Sequence, residues 1–266
     1  VKSLPKPQMF RDTRHGVIPG KKIAVVEIQT KSVTINNGDI SIDAYLAKPL
    51  ESGIWPGIVV FQEVFGVNDH IRSVTDRIAQ LGYVAIAPAL YQRQAPGFEV
   101  GYSPADLELG RTYKNQTTAA DLLSDIRATL TYLQQQEPVK SSFGAIGFCF
   151  GGHVAYLAAT LPDIQATASF YGAGIATMTP GGGVPTVALT PQIQGVLYAF
   201  FGTQDALIPS IDVEQIKAEL QAHQIRHQVF TYPANHGFFC DQRASYQPEA
   251  AAQAWQQVQQ LFKQYL

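Results

Sequence analysis

The residue with the most chemistry in its surroundings is a cysteine flanked by glycines two positions away on either side, in Gly147-Phe148-Cys149-Phe150-Gly151-Gly152. An apolar run, FGAIG (143–147), precedes it, and the helix-like segment HVAYLAATL (153–161) follows. Strand, tight turn and helix in that order form the setting of a nucleophile elbow. The reacting residue there sits in a strained backbone, and its neighbours must be tiny so that strand and helix can approach. A cysteine at the first turn of a helix also feels the positive end of the helix dipole, which favours thiolate over thiol. The plainer reading of Cys149 is a small apolar residue packed at a strand end, the usual place of a free cysteine; the flanking glycines favour the nucleophile.

A thiol nucleophile needs a base, and the base needs an orienting group. In elbow-type hydrolases the acid and then the base follow the nucleophile along the chain, each on a loop just beyond a strand. Asp205 comes directly after the apolar run GVLYAFFG (195–202), and His236 after RHQVFTYP (226–233). Asp212 is the rival acid, seven residues further from the strand end. Of the other histidines, His15 falls in an irregular N-terminal stretch, His70 and His223 on expected helices, His153 at the start of the helix after the elbow, and His227 on a strand. His236 and Asp205 therefore complete the expected Cys-His-Asp triad.

The elements that must place these groups are legible as texture. Residues 1–22 lack periodicity and read as an irregular arm; residues 23–266 read as one domain. IAVVEIQT (23–30), the segment 32–35 and the alternating Ile40, Ile42, Ala44 and Leu46, turning at Asn36-Asn37-Gly38-Asp39, predict antiparallel strands at a sheet edge. After Trp55-Pro56 short continuous apolar runs appear at 57–62, 83–88, 143–148, 166–171, 195–202 and 226–233, the mark of strands covered on both faces. Leu122, Ile126, Leu130 and Leu133, and later Trp255, Val258, Phe262 and Tyr265, recur at helical spacing. The expectation is an α/β domain with a mainly parallel sheet of about eight strands. Two long connections, 89–116 and 172–194, leave the strand ends where open sheets of this kind bind ligands.

Composition narrows the partners. With 46% hydrophobic residues, 15% charged and a net charge of -2, the chain lacks the basic surplus of nucleic-acid binding, and no segment is apolar for long enough to span a bilayer. Its two cysteines, Cys149 and Cys240, are too few and too far apart for a disulfide framework or a zinc-type cluster. The reading is a cytoplasmic protein with a small-molecule substrate, monomeric or weakly self-associating, with no nucleic-acid or membrane partner, no metal and no cofactor.

From about Ser32 onward these motifs resemble the dienelactone hydrolases, of the α/β-hydrolase superfamily. The resemblance is carried by Gln62-Glu63-Val64-Phe65-Gly66, Leu90-Tyr91-Gln92-Arg93-Gln94-Ala95-Pro96-Gly97, the cysteine elbow, Ser169-Phe170-Tyr171-Gly172, Gly202-Thr203-Gln204-Asp205 and His236-Gly237-Phe238. It implies the α/β-hydrolase fold and hydrolysis of a small carboxylic ester or lactone through a thioacyl enzyme. Glu63 would contact the resting thiol and take its proton once substrate displaces it from Arg93. The N–H groups of Val64 and Phe150 would form the oxyanion hole, with Arg93, Tyr171 and Arg243 binding substrate. In the family a basic residue four positions beyond the catalytic histidine holds the substrate carboxylate; here that position is Cys240, and Arg243, three residues further, is the nearest replacement. The departure opens the pocket to a neutral ester or another small lactone. Thioester or peptide cleavage by the same triad, and a non-hydrolytic redox-sensing thiol on the same fold, are the alternative readings.

Overall fold

The computed structural model describes residues 26–266. The N-terminal arm expected at 1–22 and the start of the first expected strand lie outside the described residues. Strand β1 (Ile28–Asn37) turns at Gly38 into β2 (Ile40–Pro49), pairing antiparallel along its whole length. The two short edge segments expected at 23–30 and 32–35 are thus parts of one strand, because Lys31 continues the pairing opposite Leu46.

Then follow β3 (Trp55–Phe61), α1 (Asp69–Ala79), β4 (Val84–Pro88), α2 (Pro104–Lys114), α3 (Ala119–Gln136), β5 (Val139–Phe148) and α4 (Phe150–Ala158). Strand β6 (Ile164–Phe170), a 3-10 helix (Thr186–Gln192), β7 (Val196–Gly202), α5 (Ser210–Ala222), β8 (Arg226–Tyr232) and α6 (Pro248–Tyr265) complete the chain. The strands form one eight-stranded sheet in the order β1-β2-β4-β3-β5-β6-β7-β8. Only the pairings of β2, with β1 and with β4, are antiparallel.

The continuous apolar runs have the physical cause expected of them. In β3, Ile58 and Val60 pack into one buried cluster with Ile71 and Val74 of α1 and Val258 and Phe262 of α6. Their neighbours Val59 and Phe61 point to the opposite face, into a second cluster with Leu122 and Ile126 of α3 and Val154 and Leu157 of α4. Side chains alternate across a strand, so a strand buried on both faces must be apolar at every position.

One element of the long first connection departs from the sequence reading. Helix α2 stands within 89–116, held at its start by Ser103, whose hydroxyl accepts from the Asp106 N–H while the Asp106 carboxylate accepts from the Ser103 N–H. The run Ser103-Pro104-Ala105-Asp106 is a recognisable start signal of this type, with proline at the first helical position. The second connection, 172–194, is fastened from below by His153. Its Nδ1 donates to the Ala173 carbonyl at 3.0 Å, leaving Nε2 to accept from the Thr186 hydroxyl at 2.7 Å. Burial lowers the His153 pKa to about 4, so the ring is neutral, as this pairing requires. Among the described residues no helix is long and apolar enough to cross a membrane.

Candidate active site

Cys149 lies between the end of β5 and the first residue of α4, with φ 56° and ψ −117°. The positive φ is a strained conformation for a residue bearing a Cβ. What enforces it is the closeness of strand and helix. A Cβ on Gly147 would lie 1.9 Å from the Gly151 carbonyl oxygen, and one on Gly151 would lie 2.3 Å from that of Phe61. Neither contact is possible for an alanine, so the glycines found in the sequence are demanded by the packing.

The turn raises the partly exposed thiol at the carboxyl edge of the sheet, where the loops after β7 and β8 also arrive. His236 Nδ1 is 2.7 Å from Asp205 Oδ2, and the other carboxylate oxygen of Asp205 accepts from the Leu207 N–H at 2.8 Å. Asp205 is thereby held in one orientation, and the imidazole with it. The opposite ring nitrogen, Nε2, is buried and makes no hydrogen bond among the described residues. Burial opposes a charge on His236, yet the neighbouring Cys149 thiolate and the Asp205 carboxylate together outweigh it and raise its pKa to about 10. The arrangement favours the imidazolium form of His236. Asp212, the rival acid, stands on the first turn of α5 and lines the same cavity without pairing to His236.

The cavity holds about 280 Å³ and is lined by Cys149, His236, Val64, Phe150, Arg243 and residues of α2, among others. The backbone N–H groups of Val64 and Phe150 find no acceptor among the described residues, one in the turn after β3 and the other at the first position of α4. Leu107, Arg111 and Lys114 reach the cavity from α2. Helix α2 comes this close to the β3 turn because Gly110 faces it: a Cβ there would lie 2.2 Å from the Val64 carbonyl oxygen.

Comparison with known proteins places this geometry in a family. The profile described as "Dienelactone hydrolase family" matches residues 42–266. The chain belongs to the dienelactone hydrolase family. A Synechocystis protein named "Putative carboxymethylenebutenolidase" is 57% identical over 90% of this chain and 98% of its own. A Bradyrhizobium protein named "Probable 2-oxo-3-(5-oxofuran-2-ylidene)propanoate lactonase" is 30% identical over 82% of this chain and 87% of its own. A crystal structure of a "Putative Dienelactone Hydrolase" from Klebsiella pneumoniae superposes with a TM-score of 0.82 at 30% identity, covering 90% of this chain and all of that one. The protein is accordingly a carboxylic-ester hydrolase with the α/β-hydrolase fold.

Three placements inferred from the dienelactone hydrolase motifs differ from the geometry. Glu63, expected against the resting thiol, makes no hydrogen bond to Cys149 among the described residues. Arg93 was expected beside Glu63 and the substrate. It lies outside the cavity, its Nη2 2.6 Å from Asp125 and its Nε 3.8 Å from Asp121. The nearly buried Asp125 also accepts from Asn37, so this carboxylate of α3 joins the connection after β4 to the end of β1. The cause is local: α3 brings two carboxylates to the arginine, while Glu63 is taken by another cation. Arg243 is that cation, its Nη1 2.8 Å from Glu63 Oε1. Burial disfavours the guanidinium charge, but Glu63 more than restores it. Arg243 also lines the cavity.

Tyr171, expected to bind substrate, is wholly buried and does not line the cavity. Its ring meets that of His236 edge to face at 5.1 Å, so it supports the imidazole from behind. Cys240 is buried too, its Sγ 3.3 Å from the Tyr102 hydroxyl. Arg111 and Lys114 were not singled out from the sequence; the capping signal at Ser103 was the clue to the helix that carries them.

Proposed function

We propose that this member of the dienelactone hydrolase family cleaves a small carboxylate-bearing lactone or ester through a Cys149-His236-Asp205 triad and a thioacyl enzyme. The observation that carries the reading is the convergence of Cys149, His236, Val64 and Phe150 on one cavity, with the N–H groups of the last two unpaired among the described residues. Cys149 Sγ attacks the carbonyl carbon, and the oxygen takes up negative charge between the Val64 and Phe150 N–H donors. When the C–O bond breaks, His236 Nε2 gives its proton to the departing alkoxide, and Asp205 keeps the ring in the tautomer and orientation that allow this. The neutral imidazole then takes a proton from water, hydroxide attacks the thioester, and the carboxylic acid leaves with Cys149 returned as thiolate.

Glu63, beside Val64 and paired with Arg243, acts in this reading as the carboxylate that balances Arg243 until substrate competes for the guanidinium. The relatives' names describe lactones that carry an acid group. Arg243, Arg111 and Lys114 around the cavity suit such a substrate. Brief mixing with an activated small ester should add one acyl group to Cys149, seen by intact mass and peptide mapping. An enzyme that turns over while Cys149 carries no acyl group, or a Cys149→Ala variant with undiminished turnover, would refute the mechanism.

A further inference from the structure

Glu63 also belongs to a second group of side chains, whose other two members, His70 and Cys240, the hydrolysis does not use. His70, on the first turn of α1, and Cys240, on the turn after His236, approach Glu63 so that one donor atom from each lies within 4.8 Å of the other two. All three are buried, with exposures of 1% for Glu63, 3% for His70 and 0% for Cys240.

Two of the three residues carry an unpaired atom. Glu63 Oε1 accepts from Arg243, but its Oε2 has no hydrogen-bond partner among the described residues, and neither has His70 Nε2. Leaving buried polar atoms unpaired is costly, and proteins rarely do it without a reason. Here two residues with such an atom stand in one buried cluster with a thiol.

We infer that Glu63, His70 and Cys240 form a binding site for a divalent cation of the zinc class. A thiolate, an imidazole and a carboxylate are together the donor set of a borderline-soft ion that accepts tetrahedral geometry. Ordinary zinc bond lengths put such donors about 3.3–3.6 Å apart. The three side chains therefore close by about an ångström around the ion, which rotamer adjustment can supply. The Tyr102 hydroxyl, already 3.3 Å from Cys240 Sγ, or a water takes the fourth position. Asp241 lies 3.9 Å from His70 Nδ1, on the side of the ring where metal-binding histidines commonly meet a carboxylate.

On binding, the Cys240 S–H proton goes to solvent; the new thiolate, Glu63 and the Asp241 carboxylate beside His70 together offset the dication and Arg243, which remains on Oε1. Because Val64 follows Glu63 in the chain, an occupied site holds the turn expected to supply an oxyanion donor. Zinc should therefore slow hydrolysis. That last consequence rests on the function proposed above; the binding itself does not.

The test uses the full chain with Cys149→Ser, which removes the other thiol, titrated with Co2+ as a visible proxy and with Zn2+ by calorimetry. One Co2+ per chain should bind with a thiolate-to-metal charge-transfer band, and Zn2+ should displace it. Adding Cys240→Ser should abolish the band, and adding His70→Gln should weaken binding at least tenfold, while His236→Gln should change neither. Circular dichroism of each variant establishes that it is folded, and if Cys240→Ser does not fold, His70→Gln alone decides. Absence of a charge-transfer band in the Cys149→Ser chain, or equal affinity after His70→Gln, would overturn the site. Because the chain tested has no nucleophile, neither outcome depends on the hydrolytic reading.

Discussion

The two cysteines of this chain share a side chain and almost nothing else. Cys149 is partly exposed on a strained turn, at a helix N-terminus, beside an imidazole whose pKa is raised to about 10. Cys240 is wholly buried against a phenol, and burial, aided by the neighbouring Glu63, pushes its thiol up to about 11. A thiol is a nucleophile only as thiolate, so in the proposed mechanism the exposed elbow suits Cys149 to attack, while burial makes Cys240 inert toward electrophiles. The lesson extends to the arginines: Arg93 matches a family motif but is spent on Asp125, while Arg243, outside the motif, reaches the cavity.

The contrast is broken most directly at the nucleophile. Cys149→Ala should lower kcat/KM for an activated ester on the order of 10⁴-fold or more, measured with enzyme freed of wild-type contamination. Asp205→Asn should cost on the order of 10³-fold, since the ring loses its orienting carboxylate. It should also displace the alkaline limb of the pH profile. His236 has a raised pKa, so the imidazolium and any stability it contributes are fully present below the ordinary histidine value of about 6.5 and are lost as pH rises through about 10. The limb of kcat/KM should accordingly fall near pH 10 in the native enzyme, and at lower pH in Asp205→Asn; an unmoved limb would mean that another group titrates there.

Alkylation sharpens the comparison without mutation. At neutral pH iodoacetamide should label Cys149 on the order of 100-fold faster than Cys240, by peptide mapping of the native protein. Equal rates would remove the distinction. The smallest effects concern the supports. Gly151→Ala should destabilise the fold by about 3 kcal/mol in denaturant titration, because the added carbon meets the Phe61 carbonyl. Arg93→Ala should cost about 2 kcal/mol by leaving the buried Asp125 short of its cation, with kcat/KM within about threefold of native. A hundredfold loss of activity in Arg93→Ala would return that residue to the substrate site.

Local chemistry is what a sequence displays best, and the elbow is the clearest case. Glycines that leave no room for a side chain, a cysteine between them and apolar runs buried on both faces all follow from rules that act within a few residues. Those rules also put Asp205 and His236 on loops at one edge of the sheet. They could not direct Arg93, because its partners Asp121 and Asp125 come from α3, and which of two carboxylate sources an arginine meets is settled by helix packing. Helix α2 was hidden for the opposite reason: its face is largely exposed, so its apolar period is weak and only the cap at Ser103 announces it.

By itself, then, the sequence determined the layered α/β architecture, the glycine-flanked turn of the cysteine proposed as nucleophile and the order of the groups that would serve it, since each depends on short-range sterics or on hydrophobic period. Tertiary structure alone decided that Arg243 rather than Arg93 holds Glu63, that Tyr171 stands behind His236 instead of against substrate, and that Cys240 meets Glu63 and His70. Those three outcomes join segments far apart in the chain, and a buried charge or donor takes whichever partner the packed elements bring within reach.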